Sequence, residues 1–477
     1  MSLTKKTTSG VKWSSLSTFI KMIIQIVQLS VLTYLLDKSD FGIIAIATMI
    51  IGFTEIFSNL GLAVGIIHKQ NITNKEYSTL YWLNIIASVV MFLILWGATP
   101  LLVKFYNEPV LMSIVPLLGL QIIINAFGKI FQTIKTKELD FQFISKVSIT
   151  AVMLGFIATV ALAFYGFGVY SLVIGQLIQV LFNQMVYVYY GRKENRVQFY
   201  FNFAEVRSFV KIGGYQLGSQ ILDFASYRID VILIGRFFGM EVLGIYNIAK
   251  ELIAKPFQLI NSLVTNVASA SFSIIQDDLS KVKQNFAKVL NFISTASIPL
   301  YIMIFVFSDF VVSILYSSEF SQVALFLRLM ILVGIASSIS SVSSILIIAK
   351  GRTDIGFRWT IVRVVVSTIV ILITSQIGIN TVAVAQSVLA VVFLFVFWYI
   401  ATRKLSGLTL KEYSNTFIES LLVAVLLGGI FEVTNRIFDF SIIGQLVLIG
   451  LYMFFYAGYY FLFRKAIIRE IIQLVKR

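Results

Sequence analysis

Five polar residues recur at helical spacing in the first long apolar segment of the chain. Ser14, Thr18, Lys21, Gln25 and Gln28 follow one another at intervals of three or four residues, so an α-helix places them on one face. Charged and amide groups within an apolar segment suit contact with water or a polar ligand rather than with lipid. The spacing therefore predicts a helix that lines a polar cavity and binds a ligand there.

A second stripe occurs in the same helical phase 202 residues later, at Gln216, Gln220, Asp223, Tyr227 and Asp230. Arg228 lies on an adjoining face, from which it would either line the same cavity, as we expect, or pack between helices. Two further segments carry polar faces at these intervals: Thr48, Gly52, Glu55 and Asn59 in one, and Glu251, Lys255, Gln258, Ser262 and Thr265, with Lys250 beside them, in the other.

At least thirteen charged residues lie inside apolar segments that are long enough to cross a bilayer. Facing lipid, they would cost on the order of 30–45 kcal/mol at roughly 2.5–3.5 kcal/mol each near the bilayer centre, less for those at helix ends. That exceeds the ~5–15 kcal/mol net stability of a folded domain. Most must therefore face a wet cavity or one another: Lys21, Lys129, Lys146, Arg228, Lys250, Lys255, Arg328, Arg363, Glu55, Asp223, Asp230, Glu251 and Glu419.

Some of these residues also have a purely structural interpretation. Glu251 and Lys255 are four residues apart in the order that favours an ion pair. Asp230 could be held by Arg236 or by a helix end. Pro256, beside Lys255, predicts a kink, which either serves as a hinge or is merely tolerated.

The composition requires lipid as the solvent for most of the chain. Of 477 residues, 58% are hydrophobic and only 13% charged, against roughly 25% charged in soluble proteins. Apolar runs of about 20 residues predict an all-α integral membrane protein with about fourteen transmembrane helices, the seventh over 208–236 and the eighth over 241–268. Every second loop holds at most one Lys or Arg, whereas the loops between them and the two termini hold two to five each. Because positive charge is concentrated on the cytoplasmic side of a membrane protein, this predicts that both termini are cytoplasmic.

Several function classes are excluded by what the chain lacks. It has no Cys and a single His, so we expect no thiolate or His-rich metal site, no Cys nucleophile and no cofactor. The loops leave no room for a soluble catalytic domain, so we do not expect an enzyme. The net charge of +15 follows from membrane topology and does not indicate a nucleic-acid partner.

An internal repeat is visible at the same offset of 202. The run DFGIIAIA at 40–47 aligns with VLGIYNIA at 242–249, although chance similarity between apolar helices is the alternative. Six predicted spans precede the seventh, so the copies share one orientation. This predicts two parallel six-helix lobes around a central cavity plus two C-terminal helices. The expected domains are an N-lobe (1–190), a cytoplasmic linker (191–207), a C-lobe (208–403), and two further spans with a basic tail (404–477).

Four motifs resemble those of polysaccharide flippases. They are YRIDVILIGR (227–236), LGIYNIA (243–249) followed by Pro256, AKGRTD (349–354) and NLGL (59–62). The chain is thereby similar to Wzx-type O-antigen and colanic-acid transporters of the multidrug/oligosaccharidyl-lipid/polysaccharide exporter superfamily. It departs from them at Asn59, where an acid is frequent, and near Ala270, where a proline is.

The resemblance implies a flippase in the bacterial inner membrane, working by alternating access. Its substrate would be an undecaprenyl-pyrophosphate-linked oligosaccharide, moved to the periplasmic leaflet for lipopolysaccharide or other surface polysaccharide synthesis. It implies membrane lipids and other polysaccharide-assembly proteins as partners, and a monomeric protein. It also implies that transport is coupled to an ion, with a proton and sodium as the open alternatives. The stripes contain side chains suited to such a substrate, which are Lys21, Arg228, Lys250 and Lys255 for the anion; Gln25, Gln28, Gln216, Gln220 and Asn261 for sugars; Glu55, Asp223, Asp230 and Glu251 for ion coupling or gating; and Pro256 as a hinge.

Two other functions remain as alternatives. A cation-coupled multidrug antiporter of the same superfamily would need an acidic cavity, whereas acids and bases are near balance in these four helices. A membrane polysaccharide polymerase or acyltransferase would be expected to show a large outer loop or a membrane His, and neither is present in the sequence.

Overall fold

In the part of the chain that it describes, the computed structural model has helices as its only regular secondary structure, joined by short turns and loops. The described residues are 3–58, 66, 72–194, 197–438 and 440–465. They form two compact units, Met1–Asn247 and Ile248–Arg477. The predicted lobe boundaries, which place the division at 191–207, remain a prediction.

Six helices make up most of the first unit. They are α1 (Leu3–Leu32), α2 (Lys38–Ser58), α3 (Asn74–Tyr106), α4 (Leu111–Lys137), α5 (Phe141–Phe164) and α6 (Val169–Glu194). Local side chains mark several helix ends. Thr73 caps α3 in a capping box with Glu76, and Asp140 caps α5 by accepting from the Phe143 amide, because the first amides of a helix lack partners within it.

The seventh helix is the longest and runs from one unit into the other. Helix α7 (Phe203–Ile275) leaves helical geometry at Gly239, with φ 80° and ψ 177°, a conformation that essentially only glycine adopts. The break separates two arms, 203–238 and 240–275. Each exceeds the ~20 residues that a span requires, and the predicted seventh and eighth spans fall on them. Pro256 lies inside the second arm, and its hinge role remains a prediction.

The second unit continues with further helices. They are α8 (Leu279–Val306), α9 (Ser308–Leu315), α10 (Gln322–Ala349), α11 (Thr353–Thr374), α12 (Ile379–Phe397), α13 (Leu410–Ile437) and α14 (Ile442–Phe463). A π-helical turn, Trp398–Thr402, and a last helical turn, Arg403–Ser406, extend α12. Glu412 closes a capping box with Thr409 at the start of α13.

Among the described residues, twelve helices are long and apolar enough to cross a membrane. This confirms the all-α membrane class. The predicted count of fourteen is not confirmed. The two remaining predicted spans correspond to the arms of α7, which are not among these twelve helices. Those arms carry the charged residues Asp223, Arg228, Asp230, Lys250 and Glu251, which lower their hydropathy.

The two units repeat one packing pattern. In the first, α3 packs on α4, α4 on α6, and α5 on α6; in the second, α8 packs on α10, α10 on α12, and α11 on α12. These are the third to sixth spans of each predicted copy. Recurrence of the same neighbours in the same chain order supports the internal repeat.

A close contact inside the first unit has the symmetry of that repeat. A Cβ on Gly42 would overlap the carbonyl oxygen of Met240, and a Cβ on Gly244 would overlap that of Lys38. Gly244 and Met240 are the residues that the offset of 202 pairs with Gly42 and Lys38. Reciprocal contacts of this kind are what a two-fold axis produces. The start of α2 and the start of the second arm of α7 therefore meet as equivalents.

Candidate functional site

Glu55 anchors a hydrogen-bonded chain across three helices of the first unit. Its Oε1 accepts a hydrogen bond from Asn125 Nδ2 at 2.7 Å. Asn125 Oδ1 in turn accepts one from Gln184 Nε2 at 2.8 Å, so α2, α4 and α6 are joined through polar groups. Lys129, one helical turn beyond Asn125, also interacts favourably with the Glu55 carboxylate. A carboxylate inside an apolar bundle is thus compensated by an amide and a cation.

Small and polar residues at helical spacing position this series of hydrogen-bonded side chains. Gln121, Asn125 and Lys129 are four residues apart on α4 and therefore share a face. Gly128 gives room for the Gln184 side chain, which a Cβ at that position would overlap. Glu55 was a predicted site residue, whereas Asn125 and Gln184 were not. The spacing of polar residues on α4 is the sequence signal that could have found Asn125.

The polar stripe of α1 lies along a helix that is largely open to its surroundings. Lys21 and Gln28 are half-buried and Gln25 is exposed. Among the described side chains, Lys21 has no acidic partner within ion-pair distance. Its ammonium group is therefore available for an anion.

The first arm of α7 carries both exposed and buried members of the predicted set. Asp223 is exposed, and Gln220 and Arg228 are half-buried. Asp230 is only 7% exposed. The side chain of Gln216 lies outside those that the structure describes, as do Asn59 and His68.

Asp230 is held by a residue on the other side of the break in α7. Its Oδ2 accepts a hydrogen bond from the hydroxyl of Tyr246 at 2.8 Å, and its Oδ1 accepts one from the Val231 amide at 2.9 Å. Arg236, one predicted partner, lies over the ring of Phe105, with its guanidinium carbon 5.6 Å from the ring centre. The Asp230 carboxylate is thereby buried in a structural hydrogen bond and not open to solvent.

The second unit holds the remaining predicted residues on the second arm of α7. Lys255 Nζ lies 3.7 Å from Glu251 Oε2, so the alternative of an ion pair is observed. Lys250 and Asn261 are half-buried. The Oδ1 atom of Asn261 is buried with no hydrogen-bond partner among the described residues, and it could accept a bond from a ligand hydroxyl.

Charged groups outside the spans show how the helix ends are stabilised. The backbone amide and the ammonium group of Lys281 hold the pKa of Asp278, which caps α8, below its usual value. The carboxylate of Asp354 raises the pKa of Arg352 by hydrogen bonding at 2.8 Å. These residues support helix ends and are not part of the predicted site.

Comparison with known proteins decides the family. Residues 31–325 match the family described as polysaccharide biosynthesis protein. The chain belongs to this family. That membership confirms the resemblance seen in the 227–236 and 243–249 motifs.

Family relatives are similar over most of their length. The lipopolysaccharide biosynthesis protein WzxC of Escherichia coli is 29% identical over 76% of this chain and 74% of its own. The teichuronic acid biosynthesis protein TuaB of Bacillus subtilis is 29% identical over 90% of this chain and 88% of its own.

Solved structures show the fold of this family member. The lipid II flippase MurJ in an inward closed conformation superimposes with a TM-score of 0.76, at 14% identity, over 94% of this chain and 99% of its own. The chain therefore has the fold of that flippase structure. Its long apolar helices make it a multi-pass membrane protein.

Proposed function

We propose that this protein moves an undecaprenyl-pyrophosphate-linked oligosaccharide from the cytoplasmic to the periplasmic leaflet of the bacterial inner membrane. The observation that carries the proposal is a fold shared over 94% of the chain with a lipid II flippase, in a member of the polysaccharide biosynthesis family. Relatives named for lipopolysaccharide and teichuronic acid biosynthesis support a glycan cargo. Movement between leaflets requires no covalent chemistry, and the site residues fit binding.

We assign binding of the pyrophosphate to the basic side chains of the predicted site, Lys21, Arg228, Lys250 and Lys255. Its charges need cations that are held away from bulk water, where their attraction is less screened. Lys21 and Arg228 are half-buried in the first unit, as are Lys250 and Lys255 in the second. Lys255 is 3.7 Å from Glu251, which is a loose ion pair, so a phosphate oxygen can compete with Glu251 for it.

We assign the glycan to the amide side chains. Sugar hydroxyls both donate and accept hydrogen bonds, and a side-chain amide does the same. The Oδ1 atom of Asn261, which has no partner among the described residues, supports such a role. Gln25, Gln28, Gln216 and Gln220 complete the proposed set. The lipid tail needs no polar contact and remains in the bilayer.

Transport against a gradient must be coupled to the movement of an ion, and the acidic residues are the candidates for binding that ion. Asp223 is exposed and Asp230 is buried, so Asp223 is the more accessible to a proton or sodium ion. Glu55 and Glu251 already have partners whose exchange would accompany ion binding. Collapse of the proton gradient with a protonophore, set against removal of sodium, distinguishes the two ions.

Substitution of the basic residues tests the proposal in cells. In a strain that depends on this gene for surface glycan, Arg228→Ala or Lys21→Ala should abolish the glycan and leave membrane levels of the protein normal. Arg228→Lys should retain part of the activity, and Lys146→Ala, at an exposed position of α5, should retain all of it. Wild-type glycan from both alanine variants would contradict the anion assignment.

Depletion of the protein tests the direction of transport. Lipid-linked oligosaccharide should accumulate on the cytoplasmic leaflet, where a membrane-impermeant sugar-modifying reagent reaches it only in inside-out vesicles. Drug efflux without such accumulation would instead support the multidrug antiporter. A reporter fused to either terminus should report the cytoplasm, and light scattering of the purified protein should report a monomer.

A further inference from the structure

A groove on the surface of the first unit lies between α4 and α6. Its volume is about 660 Å³, which is within the ~300–1,000 Å³ of typical ligand sites. Its walls are apolar and include Phe127, Leu181 and Met185, which are 40%, 45% and 61% exposed. Both helices are candidate membrane spans, so apolar side chains exposed along them suit contact with hydrocarbon.

One end of the groove is basic. Arg192 and Lys193, in the last turn of α6, line it. Among the described side chains, neither has an acidic partner within ion-pair distance. This end is on the side that the Lys and Arg pattern predicts to be cytoplasmic, where basic pockets between membrane helices bind anionic headgroups.

Tyr189 holds one of these cations at the groove. Lys193 Nζ donates a hydrogen bond to the Tyr189 hydroxyl at 2.9 Å and lies 4.2 Å from the centre of its ring. A cation above an aromatic face is stabilised by the ring electrons. The Lys193 ammonium is therefore held in place near the end of α6, and the Arg192 guanidinium beside it can bind a phosphate through two donors.

We propose that this groove binds an anionic glycerophospholipid of the bilayer, with one acyl chain along Phe127, Leu181 and Met185 and the headgroup phosphate at Arg192 and Lys193. Charge complementarity favours an anionic lipid over a zwitterionic one, because the two cations at the groove end outnumber Glu194, the acidic residue that follows them. The site is separate from the residues assigned to the transported substrate.

The bound lipid would contact the polar chain that holds Glu55. Gln184 lines the groove and donates to Asn125, which donates to Glu55. A filled groove restricts the Gln184 side chain and, through Asn125, the orientation of Glu55. The lipid is therefore a structural ligand placed next to a candidate coupling residue.

Native mass spectrometry of the full chain in detergent tests the site with phosphatidylglycerol and phosphatidylcholine as probes. The wild-type protein should retain one phosphatidylglycerol in preference to phosphatidylcholine. Arg192→Gln with Lys193→Gln should weaken that retention about tenfold. Met185→Trp, which fills the groove and leaves its charges intact, should also reduce it. Size-exclusion profiles confirm that each variant is folded.

A matched control removes the equivalent charges elsewhere. Arg403 and Lys404 follow Tyr399 near the end of α12, and Arg403 also lies over that ring, at 5.7 Å. Arg403→Gln with Lys404→Gln should leave retention at the wild-type level. Equal loss in this control, equal retention of the two lipids, or unchanged retention in both groove variants would overturn the proposal. So would displacement of phosphatidylglycerol by equimolar undecaprenyl phosphate, because the occupant would then be a polyprenyl lipid.

Discussion

The hydroxyl of Tyr246 donates a hydrogen bond of 2.8 Å to the carboxylate of Asp230, and this bond joins the two arms of α7 across the break at Gly239. Tyr246 is fully buried and Asp230 nearly so. The backbone at Gly239 is not helical, so the helix itself does not fix the angle between its arms. The side-chain bond supplies a restraint that the backbone lacks there.

Removal of that hydroxyl should destabilise the protein. Tyr246→Phe removes the hydroxyl that donates to one oxygen of a buried carboxylate, at a cost of about 1–3 kcal/mol. Thermal unfolding of the purified protein, followed by its intrinsic tryptophan fluorescence, measures the loss. Tyr227→Phe, at a position that is 61% exposed, is the matched control and should change little. An unchanged unfolding temperature for Tyr246→Phe would show that water replaces the bond.

The Glu55 chain predicts opposite effects for two amides on one helix. Asn125→Leu removes the amide that joins Glu55 to Gln184 and should lower the free energy of unfolding by about 1–3 kcal/mol. Gln121 lies one turn away and is buried, and its Nε2 has no partner among the described residues. Gln121→Leu should therefore be neutral or stabilising.

Denaturation and glycan export together separate stability from function in these variants. Asn125→Leu should also reduce export per folded molecule, since Glu55 loses its orienting donor. Equal stability of the Asn125 and Gln121 variants would argue against the hydrogen bonds that join Gln184 and Asn125 to Glu55.

The symmetric glycine contact predicts a sharp size limit. Gly42→Val or Gly244→Val places side-chain atoms where the carbonyl oxygens of Met240 and Lys38 lie, so the helix starts must separate. Overpacking of this kind costs about 1–3 kcal/mol or more. Gly97→Ala is the control, because a Cβ there meets nothing within 4 Å and alanine favours a helix interior by ~0.5–1 kcal/mol. Folded yield and unfolding temperature are the measurements, and equal values for Gly42→Val and Gly97→Ala would contradict the contact.

Asp278 predicts a pH dependence at the start of α8. Since Lys281 lowers its pKa in the folded state, its contribution to stability is complete above the unfolded pKa of ~3.9. That contribution is lost as the pH falls through the lower folded value. Asp278→Asn keeps a capping oxygen but cannot titrate. The difference in unfolding temperature between wild type and Asp278→Asn should therefore shrink as the pH is lowered from neutral, and a constant difference would count against the assignment.

The amino-acid sequence by itself determined the solvent, the secondary structure and the polar faces of this protein. Low charge and long apolar runs require membrane helices, and the intervals within the stripes require shared faces, because the α-helix has a fixed period. The offset of 202 also identified the two segments that contain Gly42 and Gly244, which make reciprocal contacts with each other in the structure.

Only the tertiary structure decided which side chains meet. Helical period places Glu55, Asn125 and Gln184 on faces of their own helices but does not say which helices are neighbours. It equally does not reveal that Asp230 turns to Tyr246, although the predicted boundary between the spans 208–236 and 241–268 does flank the break at Gly239. Such pairings depend on packing between segments that are distant in the chain, where hydrogen bonds must be satisfied within a bundle that excludes water.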